Sequence, residues 1–175
     1  MRGTFLSRGF LSKRRQDGPA DRIKADYSVQ NKEPAREITA QFFKENISEE
    51  IPTQRLTIQG RYVYRVPEGL PNLNGLKVIH PGWWLGVMEK NRLEPSHALG
   101  MGLKSHQGLR NVVFPFNSSP VLAYLRGESL PNDGADGWTL VNIQEGLTGL
   151  SFPLGWGKVS QGILKNRYPR GLRWH

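Results

Sequence analysis

The chain has no cysteine among its 175 residues. Disulfides, thiolate metal sites and cysteine-based nucleophilic catalysis are therefore excluded. No apolar run approaches the roughly 20 residues that a membrane span needs, and the N-terminus lacks the continuous apolar stretch of a secretory signal. We expect a cytoplasmic protein with no membrane partner. An organellar transit peptide is the alternative, because the N-terminus is rich in arginine and has no acid before Asp17.

Acidic residues are scarce at both ends of the chain. Residues 1–24 contain seven Lys or Arg against two acids, and residues 146–175 contain five against none. The formal charge of +9 therefore belongs to the termini, while the middle of the chain is almost neutral. Together with a pI near 10.1, this distribution favours a polyanionic partner.

The C-terminal stretch, residues 155–173, interleaves cations with aromatic residues and glycines. Such a mixture suits RNA, because cations meet phosphates, rings stack on unpaired bases and glycines permit close approach. An ordinary solvated cationic face is the alternative interpretation. A solvated tail would not normally carry apolar residues that favour burial, here Trp156, Val159, Ile163, Leu164 and Leu172.

No catalytic or metal-binding constellation is evident in the sequence. Glu94 and His97 form half of a di-iron motif, but a second copy is absent and the other histidines lack zinc spacing. We expect His97 to start a helix and to be held by Glu94 or by backbone. The Gly155–Lys158 segment fails the phosphate-loop pattern, since Val159 stands where Ser or Thr is needed, so a glycine turn is predicted there. No metal and no cofactor are expected.

A composition with 20 glycines and 12 prolines indicates a mostly β fold with many turns. Apolar spacing predicts helices near residues 36–46, 95–103 and 119–126. Alternation around Gly60 predicts a hairpin of residues 55–59 and 61–66, and further strands are expected at 76–80, 84–88, 137–143 and from 154. Residues 108–116 are expected to be a connector between two subdomains, and residues 131–137 a loop.

The adjacent tryptophans Trp83 and Trp84 face opposite sides of a strand. One of them is therefore expected in the core, and the other is a candidate stacking platform. Trp138, in an apolar strand, is expected to be a core residue.

Three segments in order resemble one known family. They are Lys90-Asn-Arg-Leu-Glu-Pro-Ser-His-Ala-Leu99, Tyr124-Leu-Arg-Gly-Glu128, and Gly155-Trp-Gly-Lys158 followed by Leu164-Lys-Asn-Arg-Tyr-Pro-Arg-Gly-Leu-Arg173. They resemble the C-terminal region of the RsmF branch of Sun-family RNA cytosine-5 methyltransferases. The resemblance covers roughly residues 35 to 173, but the cysteine nucleophile and the S-adenosylmethionine loop of the family's catalytic domain are missing.

The resemblance implies an α+β, mostly β fold in which a small PUA-like barrel follows a smaller α+β subdomain. We assign residues 1–33 to a basic N-terminal arm, 34–108 to the first subdomain and 109–175 to the PUA-like domain. The expected function is a non-catalytic module that binds rRNA, with tRNA as an alternative partner. A second hypothesis is an accessory subunit that contacts a separate methyltransferase chain or the ribosome. The predicted RNA-binding residues are Lys158, Lys165, Asn166, Arg167, Tyr168, Arg170 and Arg173, followed by Arg92 and Lys90.

Overall fold

The computed structural model describes residues 33–48, 53–71 and 75–174. The predicted N-terminal arm lies outside these residues except for Glu33, which begins helix α1 (Glu33–Asn46). The predicted first helix is thus confirmed. Phe42 and Phe43 are buried on its inner face, in agreement with the apolar spacing of this segment.

Four antiparallel strands follow α1 as a meander: β1 (Leu56–Gln59), β2 (Tyr62–Arg65), β3 (Trp83–Glu89) and β4 (Arg92–Pro95). The predicted hairpin about Gly60 is confirmed as the β1–β2 pair, and β3 contains the predicted strand 84–88. Trp83 and Trp84 are both half-buried. Their indole N–H groups donate to Ala98 O at 2.9 Å and Gly86 O at 3.0 Å, so neither is a freely exposed platform.

One local prediction in this half is wrong, and one predicted helix is confirmed with shorter bounds. Residues 76–80 form no strand, because β2 already pairs with β1 and β3, and Ile79 is left 70% exposed. The helix expected at 95–103 is shorter, α2 (His97–Gly102), because residues 92–95 pair with β3 as β4. Ser96 caps the helix by accepting a hydrogen bond from Leu99 N at 2.9 Å.

The second half contains helix α3 (Ser119–Arg126) and a five-stranded sheet. The helix agrees with the predicted span 119–126. The strands are β5 (Asn111–Pro115), β6 (Leu130–Pro131), β7 (Gly137–Gln144), β8 (Ser151–Ser160) and β9 (Ile163–Asn166), in the spatial order β5-β7-β8-β9-β6. The sheet curls into a half-barrel, and the predicted α+β, mostly β class is confirmed.

Three predictions fail in this sheet for non-local reasons. The expected connector 108–116 contains β5, which pairs in parallel with β7, and the expected loop 131–137 begins in β6, which pairs with β9. The strands expected at 137–143 and from 154 are confirmed as β7 and β8, so the glycine turn that was also expected at Gly155 and Gly157 is wrong. Gly155 has φ +142°, and a Cβ on it would lie 2.9 Å from Tyr124 Oη, so the glycines serve close packing within the strand.

The apolar interior joins the two halves of the chain. Trp156 is 2% exposed and packs edge-on against Phe42, with ring centroids 6.3 Å apart. Its indole N–H donates to Ser96 O at 3.1 Å. Trp156, Val159 and Leu164 are buried as expected, but Ile163 and Leu172 are about half exposed. No helix in the described part of the chain is long and apolar enough to cross a bilayer.

Candidate functional site

A row of three side chains crosses neighbouring strands of the five-stranded sheet. Trp138 on β7 is the register partner of Lys158 on β8, and Lys158 is the partner of Lys165 on β9. Register partners project from the same face of a sheet, so the three side chains lie side by side. The Lys158 ammonium is 5.6 Å from the centroid of the Trp138 ring, at cation–π distance.

Arg167 adds a second cation to the same ring. Its backbone N–H donates to Trp156 O at 3.1 Å, which continues the β9 pairing past the end of the strand. Its guanidinium carbon lies 5.4 Å from the Trp138 centroid. Trp138, Lys158, Lys165 and Arg167 form what we call the Trp138 cluster: one half-buried indole with three cations.

The cations of the cluster have no carboxylate partner within the described residues. The ion pairs found there involve other cations: Arg55–Glu68, Arg61–Glu89, Arg92–Glu94 and Arg126–Glu128. Like charges directly opposite in a sheet are destabilising, and Lys158 faces Lys165. An anion bound between them would remove this repulsion.

A groove of about 540 Å³ opens beside the cluster, between α1 and the ends of the two sheets. Its floor is apolar and its rim is polar. The lining residues are Glu37, Ile38, Gln41, Phe42 and Glu45 of α1, Asn91, Arg92 and Leu93 of the other sheet, and Trp138 and Lys158 of the cluster. The carboxylates of the lining, Glu37 and Glu45, are on α1, whereas the cations Arg92 and Lys158 are on the two sheets.

Trp138 is the site residue that the sequence analysis missed. It was expected in the core, and it does pack against the buried Trp156, but it is only half-buried and also lines the groove. Arg110 supports it from behind, donating from Nε to Trp138 O at 3.1 Å. The alternation along β7 indicates which of its side chains share a face with Trp138. Which of the two faces of the sheet lines the groove depends on how the sheet packs against the rest of the protein.

Of the predicted surface residues, three are held by contacts inside the protein. The Asn166 amide donates to Tyr124 O at 2.8 Å and Glu128 O at 3.0 Å, while its oxygen accepts from Tyr168 N at 2.7 Å. Tyr168 packs between the rings of His97 and Tyr124, with centroids 5.3 and 5.5 Å away. Arg173 donates to Tyr168 O at 3.3 Å and packs over Gly127. We leave these three out of the candidate surface.

The other predicted residues are distributed around the cluster. Arg170 is exposed in a short 3-10 helix, Arg170–Leu172. Arg92 lines the groove, although its guanidinium forms an ion pair with the Glu94 carboxylate at 3.3 Å. Lys90 is exposed in the β3–β4 turn, where its backbone has φ +53°. The structure therefore brings Lys158, Lys165 and Arg167 together on one sheet, while Arg92 lines the same groove from the other sheet.

Two titratable residues that pack against Tyr168, His97 and Tyr124, have shifted pKa values. Burial lowers the pKa of His97, and no hydrogen-bond partner is found for its buried Nδ1 atom. The expectation that Glu94 or backbone holds this histidine is wrong, because the carboxylate of Glu94 faces Arg92. Burial also raises the pKa of Tyr124, and the neighbouring Tyr168 raises it further. No cluster of three or more metal-ligating side chains occurs among the residues the structure describes.

Comparison with protein families gives two matches that are consecutive along the chain. Residues 41–103 match the first C-terminal domain of RsmF rRNA methyltransferase, and residues 111–174 match the methyltransferase RsmF PUA domain. Neither matched region is the catalytic domain. Most of the described chain is thus accounted for, and the protein belongs to the RsmF rRNA methyltransferase family, of which these residues carry the two C-terminal domains.

Proposed function

We propose that this chain is a non-catalytic RNA-binding module and that the Trp138 cluster is its RNA surface. The main observation behind this proposal is the row Trp138–Lys158–Lys165, with Arg167 over the Trp138 ring. None of the three cations has a carboxylate partner among the described residues. Unpaired cations that surround a half-buried ring match the two needs of RNA: neutralised phosphates and a stacking surface. The match to a PUA domain supports this proposal.

The proposed partner is rRNA, since both matched regions are described as parts of an rRNA methyltransferase. Structured tRNA is the competing RNA. Titration of the purified chain with ribosomal RNA fragments and with tRNA of similar length distinguishes the two, and similar affinities for both would refute a preference for rRNA.

Salt dependence tests the proposed surface. If Lys158, Lys165, Arg167 and Arg170 each neutralise one phosphate, a plot of log affinity against log salt has a slope of about −3 on single-stranded RNA. The double variant Lys158→Ala/Arg167→Ala is then expected to have a slope about 1.5 less steep and to lose affinity for different RNAs to a similar extent. Fluorescence anisotropy between 50 and 300 mM salt, with a melting curve for each sample, is the measurement.

The control removes the same charge elsewhere. Arg61 and Arg126 are exposed and lie in surface ion pairs, and neither contributes to the cluster. The double variant Arg61→Ala/Arg126→Ala is expected to keep the wild-type slope within error. An unchanged slope in the folded Lys158/Arg167 variant would place the RNA surface elsewhere.

A second function, an accessory subunit acting by protein contact, is favoured by an apolar patch at the tip of the β7–β8 hairpin. Phe116, Leu147, Leu150 and Phe152 are all at least half exposed there, and Leu147 reaches 96%. We infer a contact with the catalytic domain of an RsmF-family methyltransferase supplied as a separate chain. Co-elution of the two purified proteins, abolished by Leu147→Ser/Phe152→Ser, would support it, and separate elution of the wild-type proteins would exclude it.

A further inference from the structure

The groove beside the Trp138 cluster is lined by carboxylates on α1 and by cations on the two sheets. Helix α1 contributes Glu37 and Glu45 to the lining, and strands β8 and β4 contribute Lys158 and Arg92. Phosphate is repelled from the α1 wall and attracted to the Lys158 side. A nucleotide in this groove therefore has one favourable orientation, with its base towards α1 and its phosphates towards the cations.

The interior of the groove suits a flat base. Its surface includes the Trp138 indole, Ile38, Phe42 and Leu93, and its volume of about 540 Å³ lies within the range of small-ligand sites. An aromatic wall stacks on the face of an unpaired base. Apolar contact alone does not distinguish one base from another, so selectivity depends on the polar rim.

Glu37 is the rim group best placed to select. The neighbouring Glu45 carboxylate already accepts a hydrogen bond from the Gln41 amide at 2.5 Å, and Arg92 is paired with Glu94. Glu37 has neither a hydrogen bond nor an ion pair with any residue that the structure describes. A free carboxylate has two acceptor oxygens and no donor.

Guanine is the base that matches such an acceptor. Its Watson–Crick edge presents two adjacent donors, N1–H and N2–H, whereas the same edge of adenine, cytosine or uracil presents one donor group. We propose that the groove binds one unpaired guanine of the bound RNA, stacked on Trp138 with its N1–H and N2–H donated to Glu37. This inference rests on the proposed RNA binding.

Single-stranded nine-residue RNAs test it, with uridines at eight positions and guanine, inosine, adenine, cytosine or uracil in the centre. Inosine lacks the N2 amino group and so removes one of the two donors. Wild-type protein is expected to bind the guanine oligonucleotide about 5- to 100-fold more tightly than the uracil one, with inosine between them. Equal affinity for all five would overturn the proposal.

Two isosteric substitutions test whether the Glu37 carboxylate is the group that selects guanine. Glu37→Gln replaces one acceptor by a donor on an exposed helix position, and it is expected to remove the guanine preference while leaving the salt slope unchanged. The matched control is Glu45→Gln, on the same helix and the same groove wall, which should keep the preference. Loss of the preference in Glu45→Gln instead would show that Glu37 is not the selecting group.

The outcomes separate this inference from the function on which it rests. If no RNA binds with a measurable salt slope, the proposed RNA-binding function fails. If RNA binds with the expected slope but without base preference, only the guanine site fails. Trp138→Leu, checked for folding by its melting curve, should weaken the guanine oligonucleotide about 5- to 100-fold at constant slope. An unchanged affinity in that variant would show that the guanine does not stack on Trp138.

Discussion

Removing the Trp156 side chain should destabilise both halves of the chain together. The indole is 2% exposed, packs against Phe42 of α1 and Trp138 of β7, and donates to Ser96 O. These contacts join residues from both matched regions. Unfolding of one region therefore exposes the apolar surface of the other.

The magnitude follows from the buried surface. A tryptophan buries about 150–250 Å², which at about 25 cal/mol per Å² corresponds to roughly 4–6 kcal/mol as an upper bound. For Trp156→Ala we expect a loss of about 4 kcal/mol in the free energy of unfolding. For Trp156→Phe we expect about 2 kcal/mol, because most of the apolar contact survives while the hydrogen bond to Ser96 is lost.

Urea unfolding followed by circular dichroism measures these losses, and amide hydrogen exchange shows which segments open. The expected result is faster exchange in α1 and in β7–β8 alike, with a single unfolding transition. Trp174→Ala is the control, since that side chain is 58% exposed and should cost less than about 0.5 kcal/mol. Faster exchange confined to residues 137–166, with α1 unchanged, would refute the reasoning.

Three further predictions concern pH, packing and chemistry. Because burial lowers the pKa of His97, the unfolded chain binds the proton more readily, so this histidine contributes stability above about pH 6.5 that is lost as the pH falls. The melting temperature should fall more steeply between pH 7.5 and 5 in wild type than in His97→Gln, and parallel curves would contradict this. Gly157→Ala should cost about 1–3 kcal/mol in urea unfolding, because its Cβ would clash with Leu164, whereas Gly171→Ala meets no atom within 4 Å and should be nearly neutral. Equal melting of the two glycine variants would disprove the clash. The purified chain should transfer no methyl group from labelled S-adenosylmethionine to RNA, and incorporation above a protein-free control would refute that.

Local patterns in the sequence were sufficient for the elements whose residues interact mainly with near neighbours. Helices α1 and α3 follow from apolar spacing and from Gly127 at the end of α3, and the β1–β2 hairpin follows from alternation around Gly60. The three ordered motifs were also sufficient to indicate the family that the comparisons show. None of these inferences requires knowledge of distant contacts.

Pairing between distant segments could not be predicted from those patterns. β5 is a strand because it adds in parallel to β7, and residues 92–95 are a strand because β3 offers them a partner. Residues 76–80 have a comparable apolar pattern but form no β-sheet pairing with any described residue. Strand formation in these segments depends on an available hydrogen-bonding edge, which is a property of the whole sheet.

The candidate site shows the same division. Composition alone identified the C-terminal cations and the pattern of aromatic residues among them, and hence a polyanion as partner. Only the tertiary structure decided which ring lies at the groove: Tyr168 is packed between His97 and Tyr124, whereas the half-buried Trp138 lines the groove with Lys158 and Arg167 at cation–π distance from its ring. The physical reason is that strand register and the position of α1 determine which side chains are covered, and both are set by contacts between residues far apart in the chain.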